Sequence, residues 1–509
     1  MITNAEIAKM LSQTADLLEI KGENPFKVRA YKNAAKLIEN SSKDFDKLVK
    51  EGFDLTRLPG IGKDLSAAIK EIVTIGKFPK LEKLKEEIPQ GLVDMLSIEG
   101  LGPKRIKQIY DAFHITSLDE LKKYAESGEF DKLPGFGEKL IQKILKGVKQ
   151  LKKAGIRFLW AEVEEFAEDL REYLKSFDGI EIVEVAGSYR RKKETVGDLD
   201  ILAVAKDYPK IIEYFTKYPK IKEIQSAGLT RSTVFLENDL QVDLRAVSSE
   251  SYGAALHYFT GSKSHNIEIR KIAIEKGMKV NEYGVYKDNK KIAGKSEKEV
   301  YESVGLCYME PEIRENRGEI EACFSKSLPK LIEIKDIKGD LNIASELIDE
   351  ALNLGYKYVG VSEKIKRDDI LVYKMLEVDV NNFEIKEDYD FLVGITNENS
   401  TTENILKALK KIDFLRFFRD IKAKKELNID YEKVFNEMKN KNVILEVVSR
   451  PNNLISEVLI KAAIDKGVKI SIVSNAKNKK ELNFIEYGIN QARRGWAETG
   501  DVINTNNLF

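Results

Sequence analysis

The sequence predicts a multidomain protein of α+β and α/β class: a helical N-terminal region, a middle domain on a mixed β-sheet, and a barrel-like α/β domain at the C-terminal end. Three observations carry this. The first 150 residues read as short helices punctuated by glycine turns. Residues 180–204 switch to strand, glycine turn, basic segment and strand. After about residue 340, an amphipathic helix, a turn and an apolar β-rich run recur in that order, the pattern of parallel strands wrapped by helices.

A chain of 509 residues exceeds what one core usually supports, so several domains are expected, and a hydrophobic fraction of 42% is enough to fill them. Lys plus Arg and Asp plus Glu are both 84, so binding to a polyanion has to come from local geometry and not from a basic field. Cys307 and Cys323 are the two cysteines, and the first twenty residues form an acid-bearing amphipathic helix unlike a signal peptide. Free thiols, a reducing cytoplasmic compartment and no membrane role are the expectation.

In the helical region one device occurs three times: LTRLPGIGKDLSAAIKEI from 55, MLSIEGLGPKRIKQIYDAF from 95 and FDKLPGFGEKLIQKILKGV from 130. Each reads as helix, Gly-x-Gly turn, helix. The glycines permit a tight turn and leave amide N–H groups at the second helix facing an anion such as a phosphate oxygen. Helix hairpins need glycine anyway, so one copy would say little, but three with the same apolar framing point to DNA-backbone contacts. The candidates are Gly60, Gly62, Lys63, Gly100, Gly102, Lys104, Gly135 and Gly137. Such contacts position a duplex without reading its sequence.

The middle domain carries IEIVEVAGSYRRKKETVGDLDILAV from 180. Alternation along a strand places Asp198 and Asp200 on one face about 6 to 7 Å apart, with Leu199 and Ile201 turned into a core. Carboxylates so placed can converge on two magnesium ions, whose usual spacing in phosphoryl-transfer sites is about 3.5 to 4 Å and which need no histidine. FLENDLQVDLRAV supplies a third, Asp243, in strand context; Asp239 falls in an Asn-Asp turn that joins two strands of a hairpin. Gly187 and Ser188 form a turn that can hold a triphosphate, with Arg190 and Arg191 adding charge, or an ordinary basic surface turn.

The order GSYRR, VGDLDIL, VDLR and YFTGSKSHN resembles the nucleotidyltransferase palm of family X DNA polymerases, and the repeats before it resemble that family's lyase and fingers regions. The likeness covers residues 1 to about 318. It implies a lyase-like, 5′-phosphate-binding domain over 1–85, helix-hairpin-helix fingers over 86–150, a palm over 151–250 and a thumb over 251–318. A linker over 319–335 and a barrel domain over 336–509 follow. The implied reaction is attack of a primer 3′-hydroxyl on the α-phosphate of a dNTP, on gapped or primer-template DNA, by a monomer using two Mg²⁺ ions or Mn²⁺ in their place. By position, Asp198, Asp200 and Asp243 become metal ligands and catalytic groups. Gly187, Ser188, Arg191 and Gly197 become triphosphate contacts, and Tyr258, Phe259 and Gly261 the sugar pocket. Asn266 and Arg270, one helical turn apart, face the nascent pair. His257 and His265 are assigned to packing or phosphate contact.

Two departures from the family pattern limit this reading. ENPFKVRAYKNAAKLI resembles the 5′-phosphate pocket, with Lys27 and Tyr31 matching, but the position of the Schiff-base lysine holds Ala68, and Asp64 stands where a supporting lysine is common. Alanine cannot form a Schiff base, and Lys63 or Lys70 would reach differently, so phosphate binding is expected without the lyase step. The closing IEYGINQARRGWAETGDVINT resembles the PHP phosphoesterase domain of bacterial and archaeal family X polymerases, yet no histidine follows His265. Asn342, Ile343 and Ala344, then Glu363 and Lys364, then Asn475 and Lys477 occupy the expected ligand positions, while Asp340 and Glu446 survive. Lys364 and Lys477 are expected to bring positive charge where metals would sit. The leading expectation is a gap-filling repair polymerase with a degenerate PHP barrel. A noncatalytic DNA-end scaffold and a polymerase with residual 3′–5′ exonuclease activity are the competing ones.

Overall fold

Proline placement decides how each glycine turn of the N-terminal region is entered. Leu58 and Leu133 precede Pro59 and Pro134, and a residue before proline is pushed out of the helical region; both are extended, with ψ of 131°. The first and third turns are therefore entered from single 3₁₀ turns, Leu55–Arg57 and Glu129–Lys132, where a helix was expected. The second has Glu99 in place of proline, and a short helix, Gln90–Met95, stands before it. The leading glycine of each turn is left-handed, φ 86° at Gly60, 91° at Gly100 and 84° at Gly135, which other residues adopt poorly. Helices Lys63–Ile75, Pro103–Phe113 and Glu138–Ala154 follow directly, the second with proline at its first position.

This computed structural model describes residues 4–39, 41, 43, 45–75, 78–154, 156–385 and 387–506. Met1 to Thr3 of the expected first helix lie outside the described residues; it runs Asn4–Ile20 and pairs with Pro25–Glu39. The chain divides into two units, Met1–Ile156 and Arg157–Phe509. Unit one is helical around a single apolar core running from Ile7 to Val148.

Unit two begins with a five-stranded mixed sheet. Its strands are β1 (Ile180–Val185), β2 (Asp198–Ala205), β3 (Ile221–Ala227), β4 (Arg231–Leu236) and β5 (Gln241–Val247), in the order β1-β2-β5-β4-β3. Strands β2 and β5 run parallel and the other pairs antiparallel. Asp239, φ 66°, turns β4 into β5, the hairpin expected for it. The helices α1 (Tyr252–Thr260) and α2 (Lys263–Glu275) come next, then a three-stranded antiparallel meander from Met278 to Ala293.

Seven strands then run parallel in chain order: β6 (Gly339–Asp340), β7 (Tyr358–Val361), β8 (Leu371–Asp379), β9 (Phe391–Ile395), β10 (Phe414–Arg416), β11 (Ile444–Val448) and β12 (Ile470–Val473). A parallel bridge between Ile343 and Ala476 brings the first and last strands together, so the sheet is nearly a closed barrel. One apolar cluster, including Tyr358, Val393, Phe414 and Val448, packs apart from a larger one that takes in the surrounding helices. Among these helices are α3 (Glu457–Asp465) and α4 (Ile485–Arg494).

Two expectations change. Segment 319–335, expected as a linker, holds the helix Glu319–Phe324, and its Ile332 N–H donates to Ala497 O at 3.0 Å. Cys307 and Cys323, expected as free thiols, are joined in a disulfide: that helix packs back on the loop before Tyr308 and brings their Cα atoms to 5.8 Å. Free thiols therefore no longer argue for a reducing compartment. No helix among the described residues is long and apolar enough to cross a membrane.

Leu199 and Asp198 share β2 but face opposite ways, and their substitutions are expected to diverge. Leu199, wholly buried, lowers stability by about 2 to 5 kcal/mol as Leu199→Ala. Asp198→Ala leaves the thermal midpoint unchanged or raises it, because it removes a like charge from a cluster.

Candidate active site

The register of two parallel strands assembles the acids. Asp200 on β2 is the direct partner of Asp243 on β5, and Asp198 lies two residues earlier on the same face. Leu199 and Ile201, both fully buried, anchor the opposite face of β2. The site thus rests on apolar packing beneath it, while the three carboxylates repel above it. Among the described residues, no lysine or arginine forms an ion pair with any of the three. Burial, then Asp198 and Asp243, push Asp200 up to about 7. Burial, then Asp243, also raise Asp198.

Thr233 Oγ1 and Gln241 Nε2, the latter at 2.6 Å, donate to the two oxygens of Asp243. Both come from the sheet itself, and neither stood out in the sequence. Among the described residues no three acidic, histidine or cysteine side chains converge on one ion position. The donor set nevertheless suits a hard divalent cation: oxygen atoms only, adjacent strands, and excess negative charge that burial makes unfavourable.

The turn beside the acids leaves no space for a side chain. Gly187 has φ 63°, and a Cβ there would come within 2.7 Å of Asp200 Oδ2. Ser188, half-buried, follows in the turn Gly187–Arg190. Arg190 does not lend its charge to this turn; it grips Glu297 through two bonds of 2.9 and 2.7 Å and donates to Thr260 Oγ1 at 2.7 Å. Arg191 is also engaged, through Nε to Glu315 at 3.0 Å and through Nη1 to Thr260 O. Gly197 lies against Arg157, whose Nη1 a Cβ would meet at 3.2 Å.

Helices α1 and α2 bring the remaining candidates close. Tyr258 and Phe259 meet edge to face at 5.1 Å, and the Arg245 guanidinium lies 4.4 Å from the Phe259 ring centre. Gly261, φ 68°, abuts Arg191 Nη1. Asn266 Nδ2 donates to Tyr258 O at 2.7 Å, leaving its buried Oδ1 without a hydrogen-bond partner, and Arg270 Nε donates to Asn266 O at 3.1 Å. The histidines pack: burial, then Arg314, lower His257 to about 3, and His265 bridges Glu319 at 2.7 Å and Tyr301 at 2.8 Å.

In unit one a cleft of about 1160 Å³ gathers Lys27, Tyr31, Gly60, Gly62 and Lys63 around the buried Ala68. Lys70 does not line it. Lys80 does: its Nζ donates to Tyr31 Oη at 3.1 Å from 49 positions along the chain, a separation that hid it from motif reading. Gly102 and Lys104 stay exposed, as do Gly135 and Gly137, while a Cβ at Gly100 would strike Leu140 at 2.8 Å.

At the barrel mouth the expected lysines are replaced by an arginine. Lys364 is exposed and pairs with Asp388 at 2.9 Å, and Lys477 is exposed too, so neither side chain fills the interior. The cation inside is Arg416, at the end of β10, 2.5 Å from Glu446 and 2.7 Å from Glu377. In FLRFF, residues 414–418, it is the one charged residue. Asp340 accepts the Ser474 N–H at 3.1 Å, and burial pushes it up to about 7.

Comparison with known proteins follows these parts. A helix-hairpin-helix domain family matches residues 2–78, and a SAM-like helix-hairpin-helix tandem matches 92–150. The DNA polymerase beta palm matches 157–275 and the DNA polymerase beta thumb 255–315. The chain is 32% identical to "DNA polymerase/3′-5′ exonuclease PolX" of Bacillus subtilis (strain 168), over 99% of this chain and 97% of that one. It is 24% identical to DNA polymerase lambda of Arabidopsis thaliana, over 61% and 62% of the two chains. To DNA polymerase lambda of Rattus norvegicus it is 25% identical, over 61% and 56%.

The raised Asp200 gives a pH signature in the presence of a chelator. In the unfolded chain it ionises near 3.8 and in the folded chain near 7, so its contribution to stability is complete below the first value and is lost as pH rises through the second. Wild type should fall behind Asp200→Asn in thermal stability from about pH 4 to 7, with a constant difference above that. Parallel curves across the window would contradict the assignment.

Proposed function

The chain belongs to the family X DNA polymerases, and from that premise we propose that it fills short gaps in DNA during repair, extending a primer 3′-hydroxyl from a dNTP at the acids of the mixed sheet. The observation that carries this is the register of Asp200 against Asp243 with Asp198 on the same face, a triad that no lysine or arginine among the described residues meets in an ion pair.

In this reading Asp198 and Asp200 would hold both metals, and Asp243 would add a ligand to the catalytic one. Two Mg²⁺ ions bound there would lower the pKa of the 3′-hydroxyl and stabilise charge on the α-phosphate and the departing pyrophosphate. Thr233 and Gln241 orient Asp243. Gly187, Ser188, Arg191 and Gly197 take the triphosphate. Tyr258, Phe259 and Gly261 close on the sugar, where a 2′-hydroxyl would have little room. Asn266 and Arg270 face the new base pair. The glycine turns of unit one hold the DNA backbone, and the cleft of Lys27, Tyr31 and Lys63 receives a 5′-phosphate, with Lys80 added from the structure. Ala68 leaves that cleft without the lysine for a Schiff base.

The Bacillus subtilis relative is named as an exonuclease as well as a polymerase. For this chain we read the barrel as inactive. Arg416 lies between Glu377 and Glu446, putting a positive charge on carboxylates that would otherwise attract a metal, and no histidine follows residue 265.

Primer extension across a one-nucleotide gap tests the polymerase reading. Wild type adds one nucleotide with Mg²⁺ or Mn²⁺, and Asp243→Ala loses at least about a thousandfold of that rate, in line with the several kcal/mol that metal catalysis supplies. A wild type inert with both metals would leave a DNA-binding scaffold. The barrel is checked separately: Asp243→Ala protein with Mn²⁺ should leave a labelled primer 3′ end intact, and steady trimming would restore the exonuclease.

A further inference from the structure

Arg191, assigned above to the triphosphate, is bound to Glu315 in the structure. If the guanidinium turns from it to grip a phosphate, it leaves behind a carboxylate whose side chain is only 12% exposed. A buried carboxylate stripped of its partner is strongly unfavourable, so an exchange of this kind is blocked unless another cation is already in place.

Such a cation is present, and it comes from the barrel. Arg494, the last residue of α4, is 1% exposed. Its Nη1 lies 3.3 Å from Glu315 Oε1 and donates to the carbonyl of Arg191 at 2.7 Å. Its Nη2 donates to Glu457 at 2.7 Å, at the start of α3, and Glu457 also accepts from Arg317 at 2.9 Å. The cluster therefore holds Glu315 and Glu457 against Arg191, Arg494 and Arg317. When Arg191 leaves, the buried Arg494 still faces both Glu315 and Glu457, with the partly exposed Arg317 beside Glu457 and Lys193 adding positive charge near Glu315.

We propose that Arg494 is a positioning residue for nucleotide binding: it keeps Glu315 neutralised and holds the backbone of Arg191, so that the Arg191 guanidinium can exchange Glu315 for a triphosphate. This rests on the polymerase reading of the site. It gives the barrel a part in polymerisation that needs no metal of its own.

The full-length chain is tested by single-nucleotide gap filling at varied dNTP. Arg494→Met raises KM for dNTP about tenfold or more, because Glu315 now retains Arg191, and changes kcat by less than about threefold. Arg494→Lys, which keeps the charge, stays near wild type. Glu315→Gln added to Arg494→Met brings KM back toward wild type, since no charge is then stranded; a loss of packing would not be reversed this way. Should Arg494→Met fail to fold by thermal melting, Arg494→Gln supplies the same comparison. An unchanged KM in the neutral variant, or a raised KM that Glu315→Gln leaves in place, overturns the proposal. If wild type extends normally beside either of these results, the positioning role alone falls. If wild type adds no nucleotide, the polymerase reading falls and takes the positioning role with it.

Discussion

The constraint on which the rest of the molecule depends is electrostatic: three carboxylates share one face of two parallel strands, and among the described residues no lysine or arginine forms an ion pair with them. Left alone, that arrangement opposes folding: burial first, and then the charges of Asp198 and Asp243, push Asp200 up to about 7. The sheet tolerates it because the other face of β2 is wholly apolar and buried, so Leu199 and Ile201 fix the backbone whatever the acids do. Stability and chemistry are divided between the two faces of one strand.

Around that strand the basic residues, unlike the three acids, are held in ion pairs. Arg190 is held by Glu297, Arg191 by Glu315, and Arg419 grips Glu194 with bonds of 2.9 and 2.7 Å. Tyr487 of α4 donates to Glu164 at 3.0 Å and meets the Trp160 ring at 5.7 Å. These bonds tie the barrel to the domain that carries the acids, within one unit. A barrel whose own mouth is filled by Arg416 keeps a structural purpose in this way: its Arg419 and Arg494 pair with Glu194 and Glu315, the acids beside the basic segment after Gly187.

Much of the acid site could be read from the sequence, because strand alternation and the apolar flanks of Asp198, Asp200 and Asp243 are local properties. The register that sets Asp200 opposite Asp243 could not, although the strand context of both allowed it. What remained hidden depends on contacts distant along the chain. Lys80 reaches Tyr31, Thr233 reaches Asp243, and Arg494 reaches Arg191, and none of these pairs shares a motif. Charge was the least legible feature. Lys364 and Lys477 occupy the positions where ligands were expected, yet they point to solvent, while Arg416, in an apolar run, takes the interior. Position along a strand end does not settle which way a long flexible side chain turns. The cysteines failed for the same reason: sixteen residues of separation say nothing of the helix that folds one back on the other.

The central claim is that the acids of the mixed sheet form the metal-dependent centre of this chain and the barrel holds none. Counting bound Mn²⁺ by electron paramagnetic resonance, with gapped DNA and a non-hydrolysable dNTP analogue present, tests it most directly. Two tightly bound ions are expected in wild type and none in the Asp198→Asn, Asp200→Asn double variant. Tight Mn²⁺ that persists in that variant and disappears only when Glu377 and Glu446 are changed to glutamine would place a metal centre in the barrel and contradict it.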